Sequence, residues 1–192
     1  MTGLSDRGTP MTRLAIPATT ADAPAASQPL LQSVEKQLGM VPNLFRLIAN
    51  SPSALEGYLA LSGALAKGSL PAPTRERIAL AVAELNGCAY CLAAHSYIGA
   101  NMAKLDPAEI VANRRGHSTD PRADAAVRFA ASVAHARGHV SDEEVRAVKS
   151  AGYSDAQVVE IVLHVAVNTL TNYANEVAQT VVDFPAVEAL AA

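Results

Sequence analysis

Residues 84–95 read Glu84-Leu85-Asn86-Gly87-Cys88-Ala89-Tyr90-Cys91-Leu92-Ala93-Ala94-His95 and hold both cysteines of the chain, spaced C-x-x-C. Such a pair serves as a redox dithiol, as half of a zinc site, or as a nucleophile with a spare thiol. Zinc wants four ligands, and the stretch offers Cys88, Cys91 and at most His95, which weakens that use. The redox use employs every group: a thiolate attacks, a thiol three positions away closes a disulfide, and an acid and an imidazole manage protons. On a 3.6-residue period Glu84, Cys88, Cys91 and His95 fall within about 60° around one helix axis. Asn86-Gly87 is a helix-stop signal, so the spacing predicts one helix ending near Asn86 and a second starting at or near Cys88. Cys88 would then sit at a helix N-terminus, where the dipole favours a thiolate, with Cys91 and His95 sharing a face beyond it.

Working outward, nearly every helix boundary is written in local chemistry. Upstream, Leu30–Leu38 reads as a helix stopped by Gly39, and Pro42 opens a short one. Ser51-Pro52 starts another, ended by Gly68, and Pro73-Thr74 begins the helix that carries Glu84. Downstream, Asp106-Pro107 and Asp120-Pro121 pair a cap with proline, and Glu109 completes a capping-box pattern. Ser141-x-x-Glu144 and Ser154-x-x-Gln157 are two further boxes. The expectation is an all-α, compact helical bundle. Residues 1–29, with Pro10, Pro17, Pro24 and Pro29, read as a flexible N-terminal arm, and 30–192 as a single domain.

Composition agrees with helices. Half of the 192 residues are hydrophobic but only 4% are aromatic, and alanine supplies much of the apolar count. A net charge of −3 without a basic run speaks against nucleic acid. Glu84, Glu160 and His164 interrupt the longest apolar stretches, so no membrane span is expected. Two cysteines without a signal peptide point to the reducing cytoplasm.

The motif also resembles that of the alkylhydroperoxidase AhpD-like proteins in the carboxymuconolactone decarboxylase superfamily. Met40-Val-Pro-Asn-Leu-Phe-Arg46, Ser51-Pro52, Thr74-Arg-Glu-Arg77 and Asp183-Phe-Pro185 resemble its peroxidase-related branch, over roughly residues 30–187. The resemblance implies about 8 to 10 helices and a thiol-dependent peroxidase or disulfide reductase acting in antioxidant defence. It implies that Cys91 attacks a hydroperoxide, Cys88 resolves the product, and Glu84 and His95 relay protons. No flavin or nicotinamide site is evident, so electrons would come from an external thiol or a lipoyl-type protein. The resemblance also implies a homo-oligomer, a trimer or hexamer. Tyr90 departs from it, since the best-studied members place a histidine there. Two alternatives stand beside this reading: a lactone decarboxylase-like lyase, and a non-enzymatic redox-sensing oligomer.

The helix expected over 154–180 carries a second pattern. His164, Asn168, Asn172, Asn175 and Gln179 form one stripe roughly 80° wide, on a helix otherwise rich in Val, Ile and Leu. That stripe must meet water, a partner chain or a pocket. Arg75, Glu76 and Arg77 read as exposed or intersubunit ion pairs. His135 and His139 lack a third metal ligand.

Overall fold

The computed structural model describes residues 12–190, and among these every regular element is helical. Nine α-helices follow two short 3-10 turns: α1 (Gln28–Leu38), α2 (Asn43–Ile48), α3 (Pro52–Ala66), α4 (Ala72–Leu85), α5 (Ala89–Asn101), α6 (Pro107–Arg114), α7 (Pro121–His135), α8 (Asp142–Ser150) and α9 (Asp155–Ala178). The all-α expectation is met, with boundaries close to the sequence signals. Ser51, Asp106, Asp120, Ser141 and Ser154 each accept a backbone N–H of the helix they precede. Gly39 ends α1 with φ +76°, a conformation glycine adopts without strain.

α4 is the axis of the fold, packing against α5, α6, α7 and α9. Its residues 78–83, Ile-Ala-Leu-Ala-Val-Ala, are all buried, and the small alanines let neighbours approach from several sides. The main core joins Ile78 and Val82 to Phe129 and Val133 of α7, Val148 of α8, and Ile161 and Val165 of α9. Each such side chain contributes about 1.5–3 kcal/mol by leaving water. A second cluster gathers Leu44, Ala83, Tyr90 and both cysteines.

The proposed arm is described only from residue 12. Residues 1–11 lie outside the described residues. From residue 12 the segment lies on the body: Arg13 N–H donates to Ala178 O at 2.7 Å, Asn50 to Ala15 O, and Ser27 to Ala49 O. The prolines that forbid a long helix thus give an extended strap with two short turns. At the other end, the Asp183 carboxylate accepts from Asn43 N at 2.7 Å, placing the closing Asp183-Phe184-Pro185 segment against the start of α2.

Candidate active site

Gly87, at φ +65°, turns the chain between α4 and α5 where the sequence predicts a break. Cys88 is the N-cap of α5, its sulfur accepting from Cys91 N at 3.3 Å. The two sulfurs lie 2.6 Å apart as free thiols. Cys88 is fully buried and Cys91 almost so, but Cys91 lines a cavity of about 260 Å³ between α3, α4, α5 and α9.

The two thiols differ electrostatically. Hydrogen bonding from Cys88 lowers the Cys91 pKa to about 7, against burial, with further help from Asn175, His95 and Asn172. Cys88 is pushed up, first by Cys91 as its neighbour and then by burial. The directions of the two shifts favour ionisation at Cys91, one turn inside α5, over the N-cap Cys88.

His95 also lines the cavity, and its Nδ1 meets the Glu76 carboxylate at 2.8 Å. Burial alone would lower the imidazole pKa, but Glu76 raises it above the ordinary value. Glu76 replaces the expected Glu84 beside the histidine. The Glu84 carboxylate accepts from Arg114 Nε at 2.6 Å and does not line the cavity. Glu84 lies away from His95 because the chain turns at Asn86-Gly87, and one helical register does not carry across that turn. The sequence did hold a usable signal: Glu76 stands three and seven positions before Ala79 and Ala83, on a stripe of buried small residues.

The trio read as exposed or intersubunit pairs is instead internal. Glu76 holds His95, Arg77 Nε donates to buried Glu109, and Arg75 Nη1 donates to Ala66 O and Leu70 O. Glu109 is no capping-box partner, because its carboxylate accepts from Arg77, Asn113, Ser118 and Thr119. Those bonds overcome burial and hold its pKa near 2.

The polar stripe of α9 points inward. Asn175 Nδ2 donates to Cys91 Sγ at 3.3 Å, and Asn172 Oδ1 accepts from Asn86 at 2.8 Å. His164 and Asn168 line the cavity, whereas Gln179 is exposed and caps the helix end in the left-handed region. Tyr90 is a wall residue. Its hydroxyl accepts from Leu44 N at 3.1 Å and its ring meets Phe184 edge-on. A neighbouring apolar cavity of about 280 Å³ shares Leu44, Tyr58, Tyr90, Ala94 and His95 with the first, and Met40, Tyr97 and Met102 form part of its rim. Among the described residues no three His, Cys, Asp or Glu side chains gather as a metal site, and no helix is long and apolar enough to cross a membrane.

Cys91 thus shares the lining of one cavity with the His95–Glu76 pair, on an all-helical scaffold. The carboxymuconolactone decarboxylase family model matches residues 52–136. The fold is similar to an alkylhydroperoxidase AhpD core, a peroxidase-related protein from Ralstonia eutropha JMP134, with 25% identity, 92% and 94% of the two chains covered and a TM-score of 0.81. A peroxidase-related protein from Silicibacter sp. TM1040 gives 24% identity, the same coverage of 92% and 94%, and 0.78. The debrominase Bmp8 gives 22%, coverage of 89% and 92%, and 0.74. No curated protein matches. The match over residues 52–136 and the shared fold make the chain similar to the AhpD-like proteins of the carboxymuconolactone decarboxylase superfamily.

Proposed function

We propose that the protein is a thiol-dependent peroxidase, or disulfide reductase, in which Cys91 attacks and Cys88 resolves. The observation that carries this reading is the contrast between the paired sulfurs: one lines a cavity with its pKa near 7, while the other is sealed behind it with its pKa raised. The Cys91 thiolate attacks the terminal oxygen of a hydroperoxide and breaks the O–O bond, giving a sulfenic acid and an alkoxide. His95, kept basic by Glu76, supplies the proton that turns the alkoxide into an alcohol. The Cys88 thiol then attacks the sulfenic sulfur, closing a disulfide and releasing water. Two electrons and two protons from an external dithiol reopen it.

In this reading Glu76 takes the relay role that the family resemblance implies for Glu84. The apolar wall of the Cys91 cavity, with Leu44, Leu65 and Val167, suits the organic body of a hydroperoxide. A dithiol that must be reopened on each cycle suits a compartment that keeps thiols reduced. The lyase alternative gives the sulfur pair no task. The sensor alternative predicts oxidation without turnover. Steady-state consumption of cumene hydroperoxide with dihydrolipoamide as reductant decides between enzyme and sensor. Cys91→Ser should lower the rate by about a thousandfold or more, as loss of a nucleophile does. Cys88→Ser should allow one oxidation per chain and then stop. Full multiple turnover by Cys88→Ser would refute its resolving role.

The reading includes a homo-oligomer. Val159, Leu163, Ala166, Leu170, Tyr173 and Val177 are exposed on α9, spaced alternately four and three apart. They fall within about 80° of one another and about 180° from the polar stripe. That spacing is the seam of a helix that packs along another helix, so a second copy of this chain is the fitting partner. Sedimentation should show an assembly, and Leu170→Lys should dissociate it. A wild-type mass near that of one 19.9 kDa chain would overturn this part.

A further inference from the structure

One wall of the main cavity is more polar than thiol chemistry requires. His164 is 7% exposed, lines the cavity, and leaves its Nε2 buried without a hydrogen-bond partner. A buried polar atom in that state calls for a ligand or a water. Arg75 lines the same cavity. Its Nη1 is pinned by two backbone carbonyls, Ala66 O at 3.1 Å and Leu70 O at 3.0 Å, which fixes the guanidinium in place. Among the described residues no carboxylate lies within 4.0 Å of it.

The acidic groups around this wall are already engaged. Glu76 is held by His95, and Glu160 accepts from Ser69 N, Ser69 Oγ and Leu70 N. Burial, and then the adjacent guanidinium, lower the His164 pKa, so the ring is uncharged at neutral pH and offers one N–H. A planar group with two acceptor oxygens and a negative charge matches a fixed guanidinium beside an imidazole N–H.

We propose that Arg75 and His164 form a carboxylate subsite, and that the molecule acted on at Cys91 is an organic acid whose carboxylate is held there. The proposal deepens the peroxidase reading, on which it rests only for the reacting end of the substrate. His164 and Asn175, the contact of Cys91, stand eleven positions apart on α9, about three helical turns. A substrate that reaches both ends therefore carries its carboxylate several carbon atoms from the reacting group, with an apolar chain or ring between. Val167, Leu65 and Ala79 supply apolar wall for that stretch.

The test reads binding without turnover. The rate of Cys91 alkylation by iodoacetamide is followed by mass spectrometry in the presence of octanoate, octanamide or acetate. Octanoate should protect Cys91, with octanamide weaker by about tenfold or more, the worth of a charge-assisted hydrogen bond, and acetate weaker because it lacks the apolar chain. His164→Leu and Arg75→Gln should each weaken protection by octanoate while leaving octanamide unchanged. His164→Leu keeps the guanidinium and its carbonyl contacts, so a folding defect in Arg75→Gln leaves the test intact. Equal protection by octanoate and octanamide, or octanoate protection that neither variant alters, overturns the subsite. A protein that binds octanoate in this way yet turns over no hydroperoxide would keep the subsite and lose the peroxidase reading.

Discussion

Glu76 and Glu84 stand eight residues apart on α4, and each carboxylate meets one cationic or basic group. Their surroundings separate them. Glu76 faces α5 and α9 across the cavity and holds an imidazole, whose pKa it raises above the ordinary value against burial. Glu84 faces α6 and holds Arg114, a permanent cation that cannot pass a proton on. Arg77 and buried Glu109 make the same kind of fixed pair, also with α6. One helix thus meets an imidazole toward α5 and fixed ionic pairs toward α6. The partner, not the residue type, decides what a carboxylate can do.

The sharpest way to break this comparison is Glu76→Gln. Loss of the group that keeps His95 basic should reduce peroxide turnover by about 10²–10⁴-fold, the usual weight of general acid–base help. An unchanged rate would remove Glu76 from the relay. On the fastening side, Glu109→Ala leaves the Arg77 guanidinium and several polar partners without their acceptor. It should destabilise by about 3–5 kcal/mol in denaturant unfolding. The sign of the pH effect follows from its pKa near 2, below the ordinary carboxylate value. The stability that Glu109 contributes is complete above about pH 4.3 and fades as pH falls through about 2, and acid titration of the melting temperature checks it.

Glu84→Gln should be milder in both respects. Arg114 is buried and keeps an amide oxygen as acceptor, so the cost is about 1–3 kcal/mol with turnover within about twofold of wild type. A large loss of turnover at unchanged stability would restore Glu84 to the relay. The smallest expected effect is at Asn175. Cys91 alkylation should rise with pH through about 7 in the wild type. Asn175→Leu removes a donor to the sulfur, and its profile should move up toward the ordinary thiol value near 8.5. A profile that stays in place would show that the amide does not tune the thiolate.

The fold was legible because its punctuation is local. A serine or aspartate cap needs only the next three residues, so the starts of α3, α6, α7, α8 and α9 could be read from short windows. Cys88, Cys91 and His95 were legible for the same reason, since they share one uninterrupted helix and its cap. Glu76 was not, because its meeting with His95 spans 19 positions and a reversal at Gly87. The inward aim of the α9 stripe was open for a related reason. Periodicity gives the relative angle between polar and apolar faces, but contacts with α3, α4 and α5 decide which face turns inside.

The bond from Asn175 to Cys91 joins positions 84 residues apart. A chain made from its N-terminus therefore exposes its sulfur pair well before the helix that covers and tunes it has been synthesised. During that interval Cys88 and Cys91 are ordinary thiols on an unfinished chain, open to any oxidant. Cys91 gains its Asn175 donor and its burial together, when the last helix closes.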